Sequence, residues 1–376
     1  MEILLEKEDF LNGIKMVEKI TSQKSVQPVL SNVLIETSTL DRITFVATDL
    51  SLTISNKVKA EVSKEGSITI NAKKLGEIIT KLEEKPIKLI TEEETNKVSI
   101  ECGRSKFELI GIGAENYPKV VQEENEESVK IEIDKNIFSK LIKQTIYTTG
   151  QNELSSSVLG GICITIKDNK IELAGTDGNR LTKTTKEIES NEDVQFIIPT
   201  RTLNEVVRIS QSVSDKTIKL EINKNNIMFI FDNIKFSSKL IEGHYPKYQQ
   251  LIPEKYENII EIEREELINS IERVATVAND RTNIIKLSFL EDTLEIVSDA
   301  PEAGCGKDII EIDYKKDDLT IAFNYRYLLD AIKNMESKEI KMEVSTPSAA
   351  TIFTEKLEDE ERERDYLCLV MPVQVR

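Results

Sequence analysis

The chain has 376 residues, 67 of them acidic and 50 basic, for a net charge of −17, with 39% apolar residues, no Trp and one His. That length suits two or three domains, and the apolar share is enough for real cores, which excludes a wholly disordered chain. The single histidine, His244, excludes a His-rich zinc site, and any Ser-His-Asp triad would have to use that one residue.

Residues 1–9 carry too many charges for a signal peptide, and no apolar run approaches the roughly 18 residues of a membrane span, so a soluble, cytoplasmic protein is expected. A 3.6-residue apolar pattern predicts a first helix along Phe10, Leu11, Ile14 and Val17. Alternating runs at Ile43-Thr44-Phe45-Val46-Ala47 and Leu52-Thr53-Ile54 predict antiparallel strands with one face wet. A second helix is predicted along Leu75, Ile78 and Ile79. The same order then recurs. Helices are predicted along Phe138, Leu141, Ile142 and Ile146, and along Leu203, Val206 and Val207, with a strand at Ile171-Glu172-Leu173 between them. A third round follows at Leu267, Ile268, Ile271 and Val274, at Leu294-Glu295-Ile296, and at Leu328, Ala331 and Ile332. The first helices start 128 and 129 residues apart, the second helices 128 and 125. Thr48-Asp49, Thr176-Asp177 and Ser298-Asp299 end the matching strands, and Tyr117-Pro118 echoes Tyr245-Pro246 at 128 residues.

This periodicity predicts three related domains of an α+β fold, spanning residues 1–127, 128–253 and 254–376. The acidic run Gln122–Glu127 marks the first boundary and Ile252-Pro253-Glu254 the second. Residues 355–365, with seven acids and three bases, are expected to form a solvated hairpin loop before the last strand. Cys102, Cys163, Cys305 and Cys368 are far apart and are expected to be buried thiols of a reducing compartment. No P-loop is present, Gly111-Ile112-Gly113 is too short for a dinucleotide fingerprint, and no cofactor is implied. Asp49 and Asp177 could be catalytic carboxylates. Their place at one point of a repeat is more simply that of a turn residue accepting backbone N–H bonds.

Charge is unevenly spread. The six predicted helices carry a net charge of about +6, which leaves about −23 for the rest of the chain. Helices accommodate Lys and Arg well, but they accommodate Glu equally. The bias therefore suggests that all six face one anionic object. Six helices packed about 10 Å apart close a ring with a bore of only about 9 Å, whereas twelve leave about 28 Å. Duplex DNA is roughly 20 Å across. Two chains, and not one, could surround it.

The chain resembles the bacterial DNA polymerase III beta subunit family, the replication sliding clamps, over nearly its whole length. The resemblance rests on Pro28-Val29-Leu30-Ser31-Asn32, Ala47-Thr48-Asp49-Leu50, Cys102-Gly103-Arg104-Ser105-Lys106-Phe107 and Gly175-Thr176-Asp177-Gly178-Asn179-Arg180-Leu181. It continues through Phe236-Ser237-Ser238-Lys239, Gly243-His244-Tyr245-Pro246, Phe323-Asn324, Tyr327-Leu328 and Val370-Met371-Pro372. It implies the DNA clamp fold, with paired helices inside and antiparallel sheets outside. It also implies a homodimeric ring around double-stranded DNA, no catalysis, and no cofactor. The implied partners are the DNA polymerase III alpha subunit, the clamp loader complex, and other replication and repair proteins that dock through a short peptide. The peptide cleft would map to Leu159, Thr176, Gly178, Arg180, Leu181, Pro246, Leu251, Met371, Pro372 and Val373. Asn179 and Gln250 stand where well-studied relatives carry His and Arg, so its rim is less basic here. Dimer contacts would fall on Phe107, Leu109, Arg273 and Val277. Lys24 matches a DNA contact of the family, and the charge count adds Lys73, Lys140, Lys143, Arg201 and Arg208. The competing readings are a repeat-built protein-interaction scaffold without DNA, and a carboxylate-dependent hydrolase.

Overall fold

The computed structural model describes residues 1–22, 26–119, 128–150, 157–253, 256, 258–300 and 304–374. Lys24, the acidic run up to Glu127 and Glu254 lie outside these residues. Among the described residues six α-helices form where the periodicity predicts them: α1 (Lys7–Glu18), α2 (Ala72–Lys81), α3 (Lys135–Ile146), α4 (Thr200–Ser212), α5 (Arg264–Ala275) and α6 (Tyr325–Lys333). Asn71 caps α2 through Lys74 N–H, and Asn324 caps α6 through Arg326 N–H. Each of α1, α2, α5 and α6 buries one stripe and leaves the opposite face wet.

The chain packs as two compact units, Met1–Asn136 with Asn204–Leu240, and Ile137–Leu203 with Ile241–Arg376. The first holds a five-stranded sheet in the order Glu61–Lys64, Glu2–Leu5, Ile87–Glu92, Lys97–Cys102, Ser105–Ile110. It also holds an eight-stranded sheet in which Leu52–Lys59 of the first repeat pairs with Ile234–Lys239 of the second, Phe236 opposite Ile54. The second unit repeats the scheme. Its eight-stranded sheet joins Arg180–Glu187 to Tyr366–Val370, Leu181 opposite Leu369, and its four-stranded sheet ends on Gly304–Glu311. The middle repeat thus contributes to both units. All the strand pairs among the described residues are antiparallel, as expected.

A clasp recurs at the base of each helix pair. A basic side chain at the start of the first helix reaches a carbonyl beyond the end of the second. Lys7 Nζ donates to Leu82 O at 2.6 Å, Lys135 Nζ donates to Val213 O, and Arg264 Nε donates to Ser337 O at 3.1 Å. Each ties the segment that follows the second helix to the start of the first.

Two expectations need correction. Cys102, Cys163 and Cys368 are buried, but Cys305 is exposed, because it lies between Gly304 and Gly306 on a sheet edge with little side-chain cover. The strand Arg42–Thr48 has no wet face, since Ile43, Phe45 and Ala47 are buried on one side and Thr44, Val46 and Thr48 on the other. Val46 is covered by Val29, Leu30 and Tyr117. The 355–365 segment does connect the paired strands Thr351–Glu355 and Tyr366–Val370, and part of it winds into a 3-10 turn at Glu360–Asp365.

Candidate functional site

The strand Lys170–Thr176 ends in a turn that the sequence builds residue by residue. Asp177 Oδ1 accepts Asn179 N–H (2.9 Å) and Arg180 N–H (3.1 Å). Thr176 Oγ1 accepts Gly178 N–H and donates to Arg180 O (2.7 Å). Gly178 takes φ +89°, which glycine adopts without strain. The Tyr245 hydroxyl accepts Thr176 N–H at 3.1 Å, so the Tyr-Pro echo of the sequence is the brace of this turn. The last strand runs alongside. Met371 N–H donates to Asn179 O (2.9 Å), and Val373 N–H to Ala322 O (2.8 Å).

An apolar floor lies beneath. Leu181, Tyr245, Tyr248, Leu367 and Leu369 belong to one buried cluster, with Val158, Ile241 and Ile252 packed against it. Leu251 is 58% exposed and Met371 40%, while Leu159, Pro372 and Val373 are half-buried. Gly178, Asn179, Pro246 and Gln250 are exposed. Large side chains left this wet on an apolar floor suit a short peptide with apolar anchors.

Arg180 occupies a different role from the rest of the set. It is 9% exposed and turns inward. Its Nε donates to Asp177 Oδ2 (3.0 Å), Nη1 to Asp330 Oδ2 (2.5 Å) and Nη2 to Tyr147 O (2.6 Å), and the guanidinium stacks 4.4 Å from the Tyr327 ring. Burial disfavours its charge, but the two carboxylates outweigh that and hold its pKa above the ordinary value. Arg180 therefore braces the turn against α6 and adds no free charge to the rim. Tyr248, 1% exposed with its hydroxyl on Glu172, was not legible in the sequence because it has no echo in the first repeat. Burial, and then the Glu172 carboxylate, push its pKa up.

Two sheet edges carry exposed apolar side chains. Phe107 (39% exposed) and Ile110 (76%) lie on the outermost strand of the five-stranded sheet, with Leu109 half-buried between them. In the other unit Ile309 (53% exposed) lies on the outermost strand of the four-stranded sheet. Arg273 Nε holds Asp308 of that strand at 2.7 Å. Val277 packs on Gly306, where an added Cβ would sit 2.7 Å from its Cγ2. Ile110 and Ile309 escaped the sequence reading because alternation does not tell an edge strand from an inner one.

The basic residues divide. Lys73 on α2, Lys143 on α3 and Arg201 on α4 are exposed. Lys140 pairs with Glu336 at 2.5 Å, and Arg208 is committed to Glu205 Oε2 (2.6 Å) and to Met16 O (2.8 Å). The excess survives the observed boundaries, since the six helices carry a net charge of about +5.

The carboxylates of the repeated Thr-Asp serve the backbone. Asp49 Oδ1 accepts Ser51 and Leu52 N–H as Asp177 does in its own turn. Asp299 instead lies within a strand opposite Cys305, so the third copy forms no such turn. No group of three or more potential metal ligands occurs among the described residues, and no helix there is long and apolar enough to cross a membrane.

Comparison with known proteins agrees with these features. Models of the DNA polymerase III beta subunit match in order, the N-terminal domain over residues 1–121, the central domain over 132–247 and the C-terminal domain over 249–372. The chain is 28% identical to the beta sliding clamp of Haemophilus influenzae over 361 residues, covering 96% of this chain and 97% of that one. It is 29% identical to that of Staphylococcus aureus over 354 residues, covering 91% and 92%. Among solved structures, a sliding clamp from Bartonella birtlesii bound to griselimycin superposes with a TM-score of 0.91 at 26% identity, and one from Bacillus subtilis with 0.92 at 24%, each covering 100% of both chains.

Proposed function

The chain belongs to the DNA polymerase III beta subunit family, and from that premise we propose how this sliding clamp holds replication machinery on DNA. Three clamp domains, residues 1–127, 128–253 and 254–376, repeat one helix-pair and sheet unit. The observation that carries the reading is the tiling of nearly the whole chain by the three successive domains of one family. Two chains join head to tail into a ring, the Phe107, Leu109 and Ile110 edge of one meeting the Ile309, Arg273 and Val277 surface of the other. Helices bearing Lys73, Lys143 and Arg201 face the duplex, with Lys140 and Arg208 near it. Contacts to phosphate stay few and sequence-independent, since strong ones would resist sliding. The ring is a tether in the cytoplasm and carries out no chemistry. An acidic exterior discourages binding of DNA from outside.

The cleft of Leu159, Thr176, Gly178, Leu181, Pro246, Leu251, Met371, Pro372 and Val373 receives a short peptide from the polymerase alpha subunit, the clamp loader complex, or other replication and repair proteins. Arg180 braces it from below, and Asn179 and Gln250 leave its rim less basic than one carrying His and Arg there. The test is topological. Once loaded, the protein should remain on nicked circular DNA and run off after the circle is cut. Equal loss from circle and linear form would leave a repeat-built scaffold without encircled DNA as the better account.

A further inference from the structure

An open cavity of about 670 Å³ lies in the first unit, walled by α1 and the end of α4 and floored by the strands Leu52–Lys59 and Ile234–Lys239. That volume suits a small molecule. Asn56 on its floor stands opposite Ile234, as Thr184 stands opposite Tyr366 in the second unit. Met16 of its wall corresponds in the same way to Gln144, 128 residues on.

In the second unit the protein satisfies this place by itself. Thr184 Oγ1 donates to Gln144 Oε1 at 3.1 Å with both side chains buried, and the buried Tyr366 sets its hydroxyl 3.3 Å from that of Tyr147. In the first unit Met16 cannot bond as Gln144 does, and Ile234 is smaller than Tyr366. Asn56 is 6% exposed and lines the cavity, and its carboxamide makes no hydrogen bond among the described residues. A buried amide without a partner is unfavourable, and a ligand that bonds it removes that penalty.

The walls define the ligand's chemistry. Five cations, Lys15, Arg42, Lys57, Lys59 and Arg208, line the cavity with three carboxylates, Asp9, Asp215 and Asp232, on a chain of net charge −17. Two of the cations are held in place, Arg208 by Glu205 and the Met16 carbonyl, and Arg42 by Asn233 Oδ1 at 2.9 Å. Each keeps further N–H donors for a guest. Met16, Val58, Val213 and Ile234 add apolar surface. A bare anion would leave the amide and the carboxylates unused, and an apolar guest would leave the cations. A nucleotide uses all of them, with phosphates for the cations, base N–H groups for the oxygens and a flat ring for the apolar wall.

We propose that this cavity binds a single nucleotide whose base carries an amino group, with its phosphates on Arg42 and the lysines and its base N–H groups on Asn56 and a wall carboxylate. A free nucleotide and the end of a single strand offer the same chemistry, and the experiment separates them. Calorimetry on the full-length protein with dGTP should show one molecule bound per chain. Inorganic triphosphate should bind at least about tenfold more weakly, having no base for Asn56. Met16→Gln with Asn56→Thr and Ile234→Tyr installs the side chains of the second copy and should abolish binding. Arg42→Gln, a milder change on a half-buried side chain, should weaken binding about fivefold. No binding at millimolar dGTP, triphosphate binding as tightly as dGTP, or binding unchanged in both variants overturns the proposal. A single-stranded oligonucleotide ending in dG that displaces dGTP at lower concentration assigns the site to a strand end, and one that fails to displace it assigns the site to the free molecule.

Discussion

Arg180 shows how much one side chain can hold. Three of its donors and its stacking face are used inside the protein, on Asp177, Asp330, the Tyr147 carbonyl and the Tyr327 ring. Arg180→Met would leave two carboxylates facing each other without a cation. The expected loss is about 2 kcal/mol, below the roughly 3–5 kcal/mol of a broken fully buried pair because Asp330 is half exposed. Urea unfolding of the variant against the parent measures it, with Arg180→Lys recovering part. Cysteines give a second residue-scale expectation. At pH 8 in native protein Cys305 should react with a thiol reagent quickly, and Cys102, Cys163 and Cys368 slowly. Burial pushes the Cys163 thiol up to about 11 from an ordinary 9.0. The native thiol therefore stays protonated while the unfolded one ionises, and this group's contribution to stability falls as pH rises from about 9 to about 11. None of Arg180's distant partners was legible beforehand, since Asp330 and Tyr327 are some 150 residues away in the chain. The turn role of Asp177 was legible, because its bonds are local.

Elements were more legible than their assembly. All six helices follow from apolar spacing, because a half-buried helix writes its buried stripe into the chain. Strand alternation held where one face is wet, as along Thr293–Ala300, and failed along Arg42–Thr48, where a second apolar layer covers the outer side. The clasp at each helix pair went unread, since a lysine or arginine at a helix start looks like any solvated charge. It yields a direct test. Lys7→Met should strip Leu82 O and Glu84 of their donor and cost about 1–2 kcal/mol. Hydrogen exchange should then quicken at the end of α2, and stay unchanged at α6, which has its own clasp from Arg264.

At the scale of the molecule, the two apolar sheet edges are the features to challenge. Ile110→Lys or Ile309→Asp would place a charge where the proposed ring closes, and each should turn dimers into monomers in sedimentation at micromolar concentration. The double variant should do no worse than either one if residues 110 and 309 meet at both seams of the ring, since its Lys and Asp would then face each other. A last consequence follows from the middle repeat, whose strands are divided between the two compact units. The strands of residues 128–253 are hydrogen-bonded into sheets with both neighbouring repeats, Ile234–Lys239 to Leu52–Lys59 and Arg180–Glu187 to Tyr366–Val370, so the middle repeat is expected to melt with them. Scanning calorimetry should accordingly resolve at most two endotherms, and an isolated central fragment should not hold its structure. Heat would take this protein apart in halves, although its sequence is written in thirds.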